Sequence, residues 1–199
     1  MIRDLKVCPV WMAYIFDNPI RKYLHDPKEL FGKYIEVGMS VLDMGCGLGH
    51  FSLGLADMVG LEGKVYAVDL QQDMLDQVKK RALRKGFNKV ILTHKCSSNN
   101  IDLDHSFEFI NCFWMIHETP DPLLLFHRLS ELMQPGGHLF LADPKVHVAK
   151  RDFEKIVASA LRQDLILYAR PQVKLSYAAV FKKPLQDNLE METRYGFIQ

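Results

Sequence analysis

The sequence predicts a doubly wound α/β domain, a mostly parallel sheet of seven strands that ends in an antiparallel hairpin. Two observations carry this prediction. From position 40 onward, short apolar runs alternate with amphipathic stretches at helical spacing, the pattern of repeated strand–helix–strand units. Near the C-terminus two strand-like runs, 165–168 and 178–181, stand only about ten residues apart with no helix between them. A connection that short does not suit a parallel crossover, so the last pair is predicted to run antiparallel.

The elements follow in order. Val41 to Met44 is a short apolar strand, followed by the glycine-rich stretch LDMGCGLGH and a helix over 50–59. KVYAVD, residues 64–69, is the second strand. Residues 71–85 form an amphipathic helix with Met74, Leu75, Val78, Ala82 and Leu83 at helical spacing, and Gly86 is its C-terminal stop. Val90 to Leu92 begins a third strand and FEFINCF, residues 107–113, makes a fourth. Asp121 then caps a helix whose first turn holds Pro122 and whose apolar face holds Leu125, Leu129 and Leu132. Pro135-Gly136-Gly137 is expected to end that helix, and Leu139 to Ala142 to form a fifth strand. A helix over 150–164 precedes the hairpin, with Phe153, Ile156, Val157, Ala160 and Leu161 on one face. The expected division is an N-terminal cap over 1–39, the α/β domain over 40–183 and a polar tail over 184–199.

Composition narrows the class of function. The 199 residues suffice for one domain with a sizeable core. A formal net charge of +1 gives no electrostatic reason to expect nucleic acid or an anionic membrane as partner. Lys79, Lys80, Arg81, Arg84 and Lys85 do cluster, but they close a predicted helix, where cations suit the dipole, and read as a solvated face. The four cysteines, Cys8, Cys46, Cys96 and Cys112, show no CxxC pair and the eight histidines no HxxxH spacing, so no metal site is expected. Arg3 and Lys6 precede an apolar run from Val7 to Phe16, but Pro9 interrupts it, Asp4 precedes it and no small-residue cleavage site follows. A protein of the cytoplasm, with reduced thiols and no membrane insertion, is the expectation.

The glycines carry the chemistry. Gly45, Gly47 and Gly49 lie between the first strand and the first helix, at the carboxyl end of the sheet where such folds bind ligands. The nicotinamide and flavin fingerprint GxGxxG would need a third glycine at position 50, where His50 stands, and the phosphate-binding GxxxxGK[ST] is absent. Asp69 falls twenty residues after Gly49, at the end of the second strand, where a carboxylate can accept hydrogen bonds from a ribose diol and repel a 2′-phosphate. Loop and acid together point to an adenosine-containing cofactor whose other end is not a pyrophosphate.

With VLDMGCGLGHF, VYAVD and LMQPGGHLFLAD in that order and at these intervals, the sequence resembles the class I S-adenosylmethionine-dependent methyltransferases over about 40–183. That family has a Rossmann-like sheet with an antiparallel final hairpin. The resemblance implies that Asp43 and the backbone of Gly45, Cys46, Gly47 and Gly49 hold the methionine end of S-adenosylmethionine. Asp69 would hold its ribose, and Leu70 would lie on the adenine. Cys96 and Ser97 fall where the family often has Asp-Ala facing the adenine amino group; with that Asp missing, the contact would come from Ser97 or from backbone. Phe113 and Trp114 would lie near the transferable methyl. Plainer alternatives exist for some of these: Cys46 and Met44 suit packing, and Phe113 could be strand core. Asp43 is harder to explain as scaffold, since a carboxylate at an apolar strand end must be hydrogen-bonded or paired.

Methyl transfer from a sulfonium is an in-line displacement that mainly needs alignment and exclusion of water, which explains why no catalytic triad stands out. A general base is needed only where the acceptor must lose a proton, and His117 in FWMIHETPD is the candidate, with a loop-shaping histidine as the alternative. The strand ends carry no Asp pair for a metal, Asp143 standing alone, and the amino-methylating signature [DNS]PP[YFW] is missing. In this family an N-terminal helix often lids the cleft; Trp11 and Tyr14 could contribute to an acceptor pocket and Arg21 could meet an anionic acceptor. The favoured reading is methyl transfer to a small molecule, with aromatic or quinone-like acceptors suggested by the aromatic residues near the cleft. The alternatives are a nicotinamide-dependent oxidoreductase and a non-catalytic S-adenosylmethionine-binding protein.

Overall fold

In the computed structural model, described for residues 23–98 and 100–185, seven strands form one sheet in the order β3-β2-β1-β4-β5-β7-β6. The strands are β1 (Ser40–Met44), β2 (Lys64–Asp69), β3 (Ile91–Lys95), β4 (Phe107–Phe113), β5 (Met133–Pro144), β6 (Ile166–Ala169) and β7 (Ser176–Lys182). The first five pair in parallel, and β7 lies antiparallel between β5 and β6, so the predicted closing hairpin is present. The helices are α1 (Pro27–Phe31), α2 (His50–Val59), α3 (Gln72–Lys85), α4 (Pro122–Leu132) and α5 (Lys150–Leu161). None of the described helices is long and apolar enough to cross a membrane.

Strand order reverses between β1 and β4, so their carboxyl ends diverge there into the glycine loop and the turn after Phe113. That is the switch point at which a doubly wound sheet opens a crevice for a ligand. Both faces of the sheet are covered, so its central strands are buried on both sides and read as continuous apolar runs rather than alternating ones. Leu55 and Val59 of α2, Val78 of α3 and Phe31 of α1 pack with Val41 and Phe109 on one face. Phe126 and Leu129 of α4 and Phe153 and Val157 of α5 pack with Leu42 and Ile110 on the other.

The local signals act as expected at two helix ends. Asp121 Oδ1 accepts from the Leu124 amide at 3.1 Å ahead of Pro122, and Gly86 closes α3 in the left-handed region at φ 75°. Two apolar positions differ from the expectation: Leu83 is 67% and Leu161 44% exposed, because each lies just past the buried stripe of its helix. The larger correction is at Pro135-Gly136-Gly137. The helix ends at Leu132 without them, and they lie inside β5, which begins at Met133 rather than Leu139. The pairing with β4 jumps from Phe107↔Met133 to Phe109↔His138, a bulge that absorbs the extra residues. Gly136 supplies its left-handed conformation at φ 81°, and its amide is bonded to the Lys183 carbonyl at 2.9 Å. The helix over 150–164 likewise stops at Leu161.

Candidate active site

The loop from Gly45 to Gly49 is held in place by its own backbone hydrogen bonds and by Arg81. The amides of Gly45 and Cys46 both donate to the Val68 carbonyl at 2.9 Å, and the Gly49 amide donates to the Cys46 carbonyl at 3.0 Å. Arg81 of α3 reaches back to the Leu48 carbonyl at 3.0 Å. All three glycines have positive φ, 70°, 51° and 83°, a region that an L side chain adopts only with strain.

They differ in what lies above them. A methyl group added at Gly45 would sit 2.8 Å from Met115 Cβ, and one at Gly49 would sit 3.0 Å from Val78 Cγ2. At Gly47 it would meet nothing within 4 Å. Gly45 and Gly49 are therefore bare so that neighbouring elements can close on the loop, whereas Gly47 faces open space. Gly45→Ala is expected to lower the melting temperature by several degrees through clash and strain. Gly47→Ala meets only the strain, and is expected to weaken cofactor binding more than stability. Parallel thermal melts and S-adenosylmethionine titrations check this, and equal loss of stability in both variants would refute it.

Two carboxylates flank the loop. Asp69, at the end of β2, accepts from the Gly47 amide through Oδ2 and from the Gln71 amide through Oδ1, both at 2.9 Å. Burial pushes its pKa up, and the backbone amides of Gln71, Gly47 and Leu70 pull against that without cancelling it. Asp43, at the end of β1, is 1% exposed, and its buried carboxylate is answered as expected: Ser52 Oγ donates to Oδ2 at 2.5 Å and Asn111 Nδ2 to Oδ1 at 2.8 Å. Ser52 and Asn111 were not anticipated from sequence. The amide oxygen of Asn111 has no hydrogen-bond partner among the described residues.

Around Leu70 and Cys96 the surroundings are apolar. Leu70 packs, half-buried, on the same core as the buried Cys96. Burial, helped by the Asp69 charge, raises the Cys96 thiol to about 11, and burial raises Cys46 well above its ordinary value, so both thiols are neutral near pH 7. Ser97 is exposed, and its hydroxyl faces Asn100 within the β3–β4 loop, donating to the carbonyl at 3.3 Å and accepting from the amide at 3.1 Å.

Across the switch point, β4 delivers Phe113, Trp114 and His117 to the same end of the sheet. Phe113 is 4% exposed between the rings of Phe51 and His25, with centroids 4.5 and 5.0 Å away. Trp114 turns the chain at φ 60°, and its indole donates to Ser176 Oγ at 2.8 Å. His25, a residue with no motif around it in the sequence, is buried edge-on against both rings. Met115 closes on Gly45, which sets the turn carrying His117 (Ile116–Glu118) beside the glycine loop. His117 Nδ1 lies 2.8 Å from Asp143 Oδ1, and Asp143 is fully buried at the end of β5. Trp11, Tyr14 and Arg21 lie outside the described residues.

A doubly wound sheet with this strand order, this closing hairpin and a glycine loop at its switch point has the fold of the class I S-adenosylmethionine-dependent methyltransferases. The chain belongs to the methyltransferase-domain family, whose model matches residues 35–186. Its structure is similar to that of a SAM-dependent methyltransferase from Aquifex aeolicus, with a TM-score of 0.79 and 25% identity, covering 87% of this chain and 98% of the other. The demethylmenaquinone methyltransferase of Geobacillus stearothermophilus is 27% identical over 118 residues, which cover 59% of this chain and 50% of that one. The ubiquinone biosynthesis O-methyltransferase of Vibrio cholerae is 30% identical over 128 residues, covering 63% and 48%. The chain thus spans about half the length of these curated relatives.

Proposed function

We propose that this chain transfers a methyl group from S-adenosylmethionine to a small hydroxylated acceptor of aromatic or quinone-like type. The observation that carries the reading is the juxtaposition at the switch point. Gly47 opens into space beside the Asp69 carboxylate, and the turn with His117 abuts the same loop through Met115. The residues suit the cofactor. Asp43 and the backbone of Gly45, Cys46, Gly47 and Gly49 would hold its methionine end, Asp69 its ribose, and Leu70, Cys96 and the Ser97 backbone its adenine. S-adenosylmethionine would supply an electrophilic methyl whose bond to sulfur breaks as the bond to the acceptor forms, the electron pair leaving with sulfur.

The chain's own share is alignment and dryness. Trp114, half-buried and backed by the buried Phe113, presents apolar surface to the approach, and His117 takes the proton that a hydroxyl acceptor must lose. The names of the two curated relatives, one a methyltransferase of demethylmenaquinone and the other of ubiquinone biosynthesis, support a quinone-like acceptor.

Calorimetry with S-adenosylmethionine, S-adenosylhomocysteine and NAD, followed by a screen of hydroquinones, catechols and other phenols with labelled methyl donor, tests the proposal. Binding of both sulfur nucleosides and label in an aromatic acceptor are expected. Tight NAD binding without response to the sulfur nucleosides would overturn it in favour of an oxidoreductase. Cofactor binding with no label in any acceptor would favour a binding protein.

A further inference from the structure

We infer that Asp143 is the positioning residue of a His117–Asp143 dyad, which presents His117 Nε2 as the base for an acceptor hydroxyl whose oxygen takes the methyl. The inference deepens the function proposed above and rests on it for the reaction.

Asp143 is fully buried, His117 is 16% exposed on its side chain, and Nδ1 and Oδ1 are 2.8 Å apart. A carboxylate can only accept, so the ring must donate through Nδ1–H. That fixes the tautomer: in the neutral ring the proton sits on Nδ1, and Nε2 is left with its lone pair. Asp143 Oδ2 has no hydrogen-bond partner among the described residues. A buried carboxylate oxygen left in that state is costly for the fold alone, and packing does not require an acid at the end of β5.

Among the described residues few groups face the imidazole. Asp143 comes from β5; Glu118, on the same turn, has Oε1 4.0 Å from Nε2; and the His147 ring from the β5–α5 loop meets it edge-on with centroids 5.8 Å apart. Cys112 of β4, a buried neutral thiol, lies near enough to Asp143 to feel its charge. Burial works against protonation of His117, but the hydrogen bond and charge of Asp143, with the charge of Glu118, outweigh it and hold its pKa above the ordinary value.

With this base the proton balance of methyl transfer to oxygen closes. Methylating a neutral hydroxyl without a base would leave a cationic oxonium. With the base, the O–H proton passes to Nε2, an oxygen lone pair forms the O–C bond, and His117 ends as an imidazolium beside the Asp143 carboxylate. A thiol would ionise near neutral pH with little help; the ring carbon of a phenolate competes with its oxygen for the methyl, and the position of the label decides between them.

Three measurements on the full chain test this. The first needs no acceptor: ¹⁵N resonances of the imidazoles at pH 8, assigned through His117→Gln, should show Nδ1 protonated and Nε2 bare in His117. Asp143→Asn, whose amide can donate to Nδ1, should shift protonation toward Nε2. In the second, methyl transfer to a soluble hydroquinone should rise with pH through the raised pKa of His117. Asp143→Asn is expected to lower kcat about a hundredfold, with the limb moved to lower pH, and Asp143→Glu to restore part of the rate. The affinity for S-adenosylhomocysteine should stay within about twofold. In the third, the product should be a methyl ether.

An Nε2–H tautomer in the unsubstituted protein overturns the dyad even where no acceptor has been found. An unchanged rate profile in Asp143→Asn does the same. Label on a ring carbon overturns the oxygen assignment. Failure of every acceptor with the expected tautomer intact refutes the proposed transfer rather than the dyad.

Discussion

Asp69→Ala is expected to weaken S-adenosylmethionine binding about a hundredfold, measured by calorimetry against the unsubstituted chain. A hydrogen bond to a charged group contributes roughly 1.5–3 kcal/mol, and a ribose diol can make two. The substitution also frees the amides of Gly47 and Gln71, which the two carboxylate oxygens hold at 2.9 Å. The open glycine would then lose the contact that fixes it, so the binding loss has two sources in one residue. Asp69→Asn should fall between, since it keeps one acceptor but turns a donor toward an amide.

The pH dependence separates binding from stability. Asp69 has its pKa raised by burial, so cofactor binding should weaken on acidification at a higher pH than an ordinary aspartate would give. For folding the sign is the opposite of a salt-bridged acid. Between the ordinary and the raised pKa the folded chain holds a proton that the unfolded chain has released, so this group's contribution falls as pH rises through that window. Asp69→Ala removes a buried charge but also the two bonds from the Gly47 and Gln71 amides, so the melting temperature at neutral pH is expected to change by only a few degrees. A large drop in melting temperature together with unchanged affinity would refute the ribose assignment.

What could be read in the sequence was what depends on local pattern. Strands and helices declared themselves through apolar runs and periodicity, and the closing hairpin through the length of one connection. The glycine loop and Asp69 were legible because glycines directly after one strand and an acid at the end of the next stand out as local pattern, and the structure joins them through the Gly47 amide at 2.9 Å. The same string GCGLG could not say which glycine faces open space, because Met115 and Val78, which close on Gly45 and Gly49, come from distant parts of the chain. Asp143 looked solitary because its partner His117 lies 26 residues earlier and meets it only where β4 and β5 end side by side. Ser52 and Asn111 were missed for the same reason: Asp43 needed partners, but only the packing of α2 and β4 says which. Pro135-Gly136-Gly137 misled because glycine next to proline ends helices and makes bulges with equal ease, and the pairing to β4 decides between them.

Phe31→Ala is expected to destabilise the whole domain by about 3–5 kcal/mol, the usual range for emptying a buried aromatic site. Phe31 is fully buried, with the rings of Phe51, Phe109 and Phe140 at 5.2, 5.4 and 4.9 Å. It is the anchor of α1, whose five residues are far too few to be helical alone. The helix comes close because α2 offers Gly54, where a methyl would lie 2.4 Å from Pro27 Cβ. The chain just before α1 reaches the candidate site: the His25 carbonyl faces His50 Nε2 at 2.9 Å, and the His25 ring packs on Phe113 and Trp114. Losing the anchor should thus lower the melting temperature by roughly 10 °C, and also loosen the aromatic wall beside Phe113. Phe31→Leu, which refills most of the volume, should cost much less of both. The comparison discriminates between two roles for the stretch ahead of β1. If it were a lid resting on an independent domain, Phe31→Ala would alter ligand affinity and leave the main thermal transition where it was. Because three of the rings around Phe31 belong to α2, β4 and β5, the transition itself is expected to move.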